Sequence, residues 1–401
     1  MHINLRHFFS LAAIADTGRL AIAAEQLHVS QSALTQAVRK LEKTAGTSLF
    51  DRSGFGVSPT VAGKALIRRA RRAIELLSFA EHKALVGSST GGSKLSGHVT
   101  ACQLNALVAI VDTGGYSTAA RRLGLAQPSI HRAAKDFEAL VGVDLFQRAT
   151  RGVEPSDAAK ILARFASLMF AEIRQGFEEV WETQGRTDSR VAIGSLPLVR
   201  SEFLPDAVTQ LLSKYPDARV SILDGPYVEQ LHALRHGQID WLIGALRSPP
   251  LAFDVVQESL FDQPLAVIVR PNHPLLDRAA TSVAELSELE WIAPRALAPA
   301  RRFFDAFFED HGKSTPTRII ECSSLVATRG LLLKSDRAAL LSPIQISEDV
   351  AAGELAVLVN AIPKSSRAIG ITTRVDWEPT TVQAELFRIL RALANKVSAG
   401  H

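Results

Sequence analysis

Two stretches of the chain repeat one pattern of apolar and polar positions, 96 residues apart and without a gap. In the later stretch, Leu104 to Gly152, Ala119, Ala120 and Leu123 give a short helix an apolar face. Ser117 is the expected N-cap of that helix, and Gly124, tolerant of positive φ, is the expected stop. Gln127-Pro128 opens a second helix, where a missing N–H does no harm. Ile130, Ala133, Ala134, Phe137 and Leu140 form its core side, leaving Gln127, Ser129, His131, Arg132 and Lys135 on the other. Leu145–Arg148 and Gly152-Val153 read as the arms of a hairpin. In the earlier stretch Asn4–Asp16 is a helix, followed by the pair Arg19–Leu27 and Gln31–Ala45, with Ser30 as N-cap of the latter. Leu49–Thr60 is again a hairpin, with Gly54 and Gly56 at its tip. Roughly a third of positions are identical over about 60 residues, far beyond chance for an ungapped self-match. The pattern is a helix-turn-helix with a wing, a nucleic-acid-binding module, present twice.

Each module runs into a long helix. Val61–Val86 has a stripe of small residues (Leu66, Ala70, Ala73, Leu77, Ala80, Ala84), and Gly87–Ser93 follows as a flexible linker. Ser156–Glu182 has a heavier stripe that includes Ile161, Leu162, Phe165, Met169, Ile173 and Phe177. Such a seam suits either a helix buried within one chain or a partner helix from a second chain. Because this helix lies between modules, a seam between chains is expected. Gly185–Ser189 reads as a hinge.

Beyond the hinge, apolar strands alternate with amphipathic helices. Arg190–Gly194, Arg219–Leu223 and Ile239–Gly244 are expected strands, with helices at Phe203–Tyr215 and Tyr227–Gly237. A second unit follows with strands Leu289–Ala293, Arg318–Glu321 and Ala338–Leu341, and helices Ala300–His311 and Ser324–Lys334. Leu265–Arg270 and Ile369–Arg374 join the units, and Val382–Val397 is a closing helix. The pattern implies mostly parallel sheets flanked by helices. The expected organisation is residues 1–60, first winged helix-turn-helix; 61–96, long helix and linker; 97–155, second winged helix-turn-helix; 156–186, dimerisation helix and hinge; 187–401, an α/β domain of two subdomains.

The net charge of +4 is modest, but its distribution is uneven. Residues 1–86 hold 12 Lys/Arg against 6 Asp/Glu, residues 97–186 hold 10 of each, and residues 187–401 hold 22 against 25. A basic end is the footprint of a phosphate-binding surface, and most of the excess sits in Lys64, Arg68, Arg69, Arg71 and Arg72. Two cysteines, Cys102 and Cys322, make no disulfide framework, and no apolar run approaches the ~20 residues that span a bilayer. With no secretory leader in evidence, a cytoplasmic protein without a membrane role is expected. The histidines show no metal-ligand spacing, and His273 reads as a turn residue; no metal or cofactor is expected.

These residues resemble the LysR-type transcriptional regulators over the whole chain. The resemblance rests on Ala23-Ala24-Glu-Gln-Leu27, Val29-Ser-Gln-Ser-Ala-Leu34, Leu41-Glu42, Gly46, Leu49-Phe50-Asp-Arg52 and Thr60. Beyond the hinge it rests on Arg190–Ser195, Leu204-Pro205, Tyr215-Pro216, Leu234, Gly237, Asp240 and Pro271-Asn-His273-Pro274-Leu275. The run Arg329–Arg337 with Leu341-Ser-Pro343 is similar to the branch that includes regulators of sugar uptake. A second winged module departs from the family pattern. The resemblance implies two periplasmic-binding-protein-like lobes with a small effector, a sugar or an organic acid, in the cleft between them. It also implies dimerisation through the long helix, a homodimer or homotetramer, double-stranded operator DNA as partner, and a mode of action compatible with contact to RNA polymerase.

Carried over residue by residue, the family's base-reading positions fall on Gln31, Ser32 and Thr35, and on Gln127, Pro128 and His131. Gln pairs bidentately with adenine, whereas Ser and Thr discriminate less. Gln36, Arg39, Arg132 and Lys135 suit phosphate contacts, and Arg52 and Arg148 suit the wings; for each, a solvated surface position is the alternative. Effector contacts are expected from Ser195-Leu196-Pro197 after the first strand, from Arg295, and from Ser323-Ser324, although a Ser at a helix start also serves as a plain N-cap. A stand-alone solute-binding protein with accessory nucleic-acid modules is the competing function. No phosphate loop, Gly-x-Ser-x-Gly or dinucleotide glycine pattern follows a predicted strand, which argues against an enzyme.

Overall fold

The computed structural model describes residues 4–53, 56–85, 95–150, 152–296 and 298–399, so Gly54 and the Gly87–Ser93 linker lie outside the described residues. The first head is α1 (Leu5–Thr17), α2 (Leu20–Gln26) and α3 (Gln31–Ala45), with wing strands β1 (Phe50–Ser53) and β2 (Gly56–Pro59), and it leads into α4 (Val61–Ala84). After α5 (Leu95–His98), the second head repeats it as α6 (Ala101–Thr113), α7 (Tyr116–Leu123), α8 (Gln127–Val141), β3 (Phe146–Arg148) and β4 (Val153–Pro155), leading into α9 (Asp157–Glu182).

The repeat extends to individual hydrogen bonds. Glu42 accepts the Leu49 N–H at 2.9 Å and Glu138 accepts that of Leu145 at 2.8 Å, tying each reading helix to its wing. The Val57 N–H donates to Gly18 O at 3.1 Å and the Val153 N–H to Gly114 O at 2.9 Å, which seats each wing on the first helix of its head. Ser30 caps α3 as expected. The structure corrects the start of α7: Gly115 is its N-cap, and Ser117 lies inside the helix with its hydroxyl donating to Gln127 Oε1 at 2.8 Å.

The long helices α4 and α9 pack against each other antiparallel. Phe79 meets Phe165 with ring centroids 5.0 Å apart, Arg72 Nε reaches Glu172 at 3.1 Å, and Gly176 lies against Leu66 and Arg69. A Cβ at Gly176 would come within 2.9 Å of Arg69 Cβ, so glycine sets how closely the helices cross. The seam expected between two chains is thereby closed within one. Leu162, Phe165, Met169, Ile173 and Phe177 are buried in one core with Leu66, Ala70, Ala73, Leu77 and Ala80, and Ile161 packs at its margin. Phe177 also meets Phe8 of the first head edge-on, at 6.1 Å.

The C-terminal domain has two five-stranded sheets. In the first, β5 (Arg190–Ser195) pairs parallel with β6 (Arg219–Asp224) and β7 (Trp241–Ala245). β14 (Arg367–Arg374) pairs antiparallel with β7 and with β8 (Val255–Gln263), giving the order β6-β5-β7-β14-β8. Helices α10 (Phe203–Lys214), α11 (Tyr227–Arg235) and the closing helix α16 (Thr381–Ala399) flank it, and Trp241 packs on Phe387 at 4.7 Å. The second sheet has the order β11-β10-β12-β9-β13. It comprises β9 (Ala266–Val269), β10 (Trp291–Ala293), β11 (Ile319–Glu321), β12 (Ala338–Leu341) and β13 (Ala356–Val359). Around it lie α12 (Val283–Glu288), α13 (Pro299–Glu309), α14 (Leu325–Leu333) and α15 (Ser347–Ala351). Strands β8 and β13 were not anticipated. Both are edge strands: β8 (Val255–Gln263) carries polar residues through its middle and lacks the run of a doubly covered strand, and β13 is apolar over only four residues. His273 is a buried turn residue: Nδ1 accepts the Leu275 N–H and Nε2 lies 3.2 Å from Asp336 O.

Candidate nucleic-acid interface and effector cleft

The polar sides of α3 and α8 are open to solvent. Gln31, Ser32, Gln36 and Arg39 are exposed and Thr35 is half-buried on α3; Gln127, Pro128, His131, Arg132 and Lys135 are exposed on α8, and Arg148 on its wing. The side chain of Arg52 lies outside the described residues. Local contacts shape both faces. The Thr35 hydroxyl donates back to Gln31 O at 2.9 Å, and Ser32 shares a 2.9 Å hydrogen bond with the capping Ser30. On α8 the His131 ring packs on Tyr116 with centroids 5.0 Å apart, and Ser117 holds Gln127. Lys135 is ion-paired with Glu138 at 2.7 Å, which raises the lysine pKa and leaves it less free for phosphate than Arg132, which has no ion pair among the described residues.

The basic block of α4, whose charge implied a phosphate surface, is largely engaged in ion pairs. Arg69, with none of its surface exposed, reaches Glu172, Gln175 and Glu179 of α9 at 2.5–3.0 Å. Burial opposes its charge, but the two carboxylates outweigh that and raise its pKa. Arg68 pairs with Glu179 at 2.7 Å, Arg72 with Glu172 at 3.1 Å, and Arg71 with Asp16. Of the five basic residues singled out, Lys64 is the one on an exposed position without a described ion pair. The signal missed in the sequence was the acidic and amide spacing Glu172, Gln175, Glu179, which complements Arg68, Arg69 and Arg72.

The same arginines hold the C-terminal domain. Arg69 donates to Glu378 O at 2.9 Å, Arg72 to Glu378 Oε1 at 3.1 Å and to Asp376 O. Arg164 of α9 donates to Arg235 O at 3.2 Å and pairs with Asp254. Gln184, just before the hinge, donates to Ala45 O of the first head at 2.9 Å. A cavity of about 510 Å³ opens at this junction, lined by Arg68, Glu179, Arg186, Tyr215 and Thr381 among others, away from both reading helices.

At the lobes, Ser195 ends β5 and is fully buried, its hydroxyl accepting from Arg200 Nε at 3.1 Å. Leu196 is buried and Pro197 exposed. Arg295 and Ser323 follow the adjacent parallel strands β10 and β11 of the other lobe, both exposed, and Ser324 caps α14. Among the described residues no hydrogen bond links Arg295, Ser323 or Ser324 to Ser195. The structure draws attention to arginines that the sequence left unmarked. Arg200 lies 3.6 Å from Asp224 at the ends of β5 and β6. Arg367 starts β14, paired with Gln263 of β8, and Arg247, two residues past the end of β7, is close enough for its charge to act on Arg367. Arg247 stacks on Tyr227 of the first lobe at 4.5 Å, and Arg367 faces Phe303 of the second at 5.9 Å. Burial, together with the charge of Arg247, pushes the Arg367 pKa down to about 10. Among the described residues Arg367 Nε has no hydrogen-bond partner. Two neighbouring cations that have no carboxylate partner among the described residues, at the crossing between lobes, favour an anion.

The fold and these sites define a DNA-binding regulator with a two-lobed sensing domain. The profile of the lysR family of bacterial regulatory helix-turn-helix proteins matches residues 5–64 and again 102–160, and that of the LysR substrate binding domain matches residues 184–395. The chain is 33% identical over 371 residues to the HTH-type transcriptional regulator GalR of Pseudomonas putida, covering 92% of each chain. It is 27% identical over 282 residues to the HTH-type transcriptional regulator PcaQ of Agrobacterium fabrum, covering 70% of this chain and 91% of that one. Among solved structures, CbnR, a LysR family transcriptional regulator, matches at a TM-score of 0.52 and 20% identity over 74% of this chain and 99% of that one. Full-length OxyR from Pseudomonas aeruginosa matches at 0.52 and 21% identity, over 73% and 98%. The chain belongs to the LysR family of transcriptional regulators, which bind DNA and respond to small-molecule effectors. No helix among the described residues is long and apolar enough to cross a membrane.

Proposed function

We propose that an organic acid, held at the lobe crossing by Arg247 and Arg367 with Ser195 and Arg200 nearby, adjusts the grip of both heads on operator DNA. In this reading Gln31, Ser32, Thr35, Gln127, Pro128 and His131 face bases, and Gln36, Arg39, Arg132, Lys135 and Arg148 face phosphates. The observation that carries it is the course of β14. The strand begins at Arg367, beside Arg247, and ends at Arg374, two residues before the Asp376–Glu378 segment that Arg69 and Arg72 hold. A carboxylate pulling on one end of this strand acts on a segment clamped to the helix that carries the first head. Paired, half-buried arginines favour an organic acid over a neutral sugar.

The test is a thermal-shift and calorimetric screen of the full chain against small mono- and dicarboxylates and neutral sugars. Carboxylates are expected to stabilise the wild type and to lose at least tenfold in affinity in Arg367→Ala and Arg247→Ala. Stabilisation by sugars alone, unchanged in both variants, overturns the reading.

A further inference from the structure

We propose that one chain is a complete operator reader, with two non-equivalent heads set about an internal pseudo-twofold axis, and that its DNA site has two different halves and no inverted-repeat symmetry. The proposal rests on the reading of both heads as DNA-binding modules.

The axis follows from the contacts between α4 and α9. Phe79 packs on Phe165. Moving Phe79 forward by the 96-residue repeat gives Gln175, and moving Phe165 back gives Arg69; Arg69 and Gln175 are themselves hydrogen-bonded at 3.0 Å. The repeat therefore maps the helix pair onto itself with the two helices exchanged. On an antiparallel pair that operation is a twofold rotation, and it relates α3 to α8. Helix-turn-helix dimers use this relation to match the dyad of a duplex, with half-sites roughly one helical turn, ~10 base pairs, apart. Here the relation is built into one polypeptide. The buried cluster around Arg69, and the closure of Phe177 on Phe8, hold it without a second chain.

In a homodimer the twofold makes the two halves identical. In this chain the halves differ where they face bases. Ser117 donates to Gln127 Oε1, which leaves the Gln127 amide N–H to address a base acceptor. Ala21, which has no hydroxyl to donate, stands at the matching place in the first head, and Gln31 keeps both donor and acceptor for an adenine edge. Ser32 is matched by Pro128, which has no donor. Thr35, its hydroxyl turned back to Gln31 O, is matched by His131, a ring stacked on Tyr116. Arg39 and Lys40 are matched by Lys135, neutralised by Glu138, and by Asp136.

The experiment is selection by the full-length chain from duplexes randomised over a window of roughly 20 base pairs, two helical turns, followed by native mass measurement of the complex. The expected result is one chain per duplex on a site whose halves are not reverse complements. Gln31→Ala is expected to relax one half and Gln127→Ala the other. Pro128→Ser combined with His131→Thr, which moves the second head toward the first, is expected to shift selection toward an inverted repeat. Making the wild-type site symmetric is expected to cost about tenfold or more in affinity, the usual cost of mismatched positions. An inverted repeat selected by the wild type, two chains on that window, or relaxation of the same half by both Gln variants overturns the proposal while leaving DNA reading intact. Failure to enrich any sequence overturns the DNA-reading assignment and the proposal with it.

Discussion

Arg69 and Glu179, 110 residues apart in sequence, are joined by two hydrogen bonds to one carboxylate oxygen, from Nε at 2.9 Å and from an Nη at 2.5 Å. Glu172 adds a second carboxylate to the buried guanidinium, and Arg68 and Arg72 pair with the same two carboxylates. Removing the cation alone leaves two buried carboxylates between α4 and α9 with only the more exposed Arg68 and Arg72 as partners. Arg69→Met is expected to lower stability by about 3–5 kcal/mol, the usual cost of breaking a buried ion pair. Arg69→Met with Glu172→Gln and Glu179→Leu is expected to recover most of that loss. Urea unfolding of both variants checks it, and a single-variant cost under about 1 kcal/mol would contradict the assigned role.

The closed seam gives a second expectation. Phe165→Ala removes a buried ring that meets Phe79, and is expected to cost about 3–5 kcal/mol. Because the opposing helix belongs to the same chain, unfolding of the heads is expected to have a midpoint independent of protein concentration. A midpoint that climbs with concentration would restore the seam to an interface between chains.

Salt dependence separates the cations that meet phosphate from those that hold the protein together. Arg39→Ala and Arg132→Ala are each expected to lower the log–log salt slope of operator binding by about 0.9. Lys135→Ala, whose cation is paired with Glu138, is expected to change it less. Arg68→Ala and Arg71→Ala, which pair with Glu179 and Asp16, are expected to leave the slope unchanged. Fluorescence anisotropy of a labelled operator fragment between 50 and 200 mM salt, roughly the range over which phosphate contacts dominate, makes the comparison. Equal slope losses at all five positions would return the α4 block to the DNA surface.

Glu178 provides a pH test. Burial on α9 pushes its carboxyl up to about 7, against the opposing pull of Arg174. In the unfolded chain it ionises near the ordinary Glu range, so the folded state holds the extra proton between the two values. Its contribution to stability is therefore full below about pH 4.5 and is lost as pH rises through 7. Glu178→Gln is expected to gain on the wild type across that window, by up to about 3 kcal/mol at ~1.4 kcal/mol per pH unit. Melting temperatures of both proteins at pH 5 and pH 8 measure the difference; parallel shifts would show that Glu178 does not titrate in this way.

The two heads, their long helices and the paired lobes were all legible in the sequence, because each is written in local periodicity. Ala119, Ala120 and Leu123 recur at helical spacing, and Ile130, Ala133, Ala134 and Phe137 mark one buried face of α8. The exposed positions of α3 and α8 were legible for the same reason: once the core side of a helix is known, the exposed side is what remains. Local pattern does not say what covers a face. The stripe from Leu162 to Phe177 demanded a partner helix, and only the tertiary structure shows that α4 of the same chain covers it. Nor does composition say where a charge points. Arg68, Arg69 and Arg72 read as a basic surface until α9 brought Glu172 and Glu179 against them. Arg247 and Arg367, 120 positions apart in the sequence, become neighbours only through the antiparallel pairing of β14 with β7. Apolar spacing is a property of one helix or strand, whereas pairing of charges and closure of seams depend on long-range contacts that no single segment encodes.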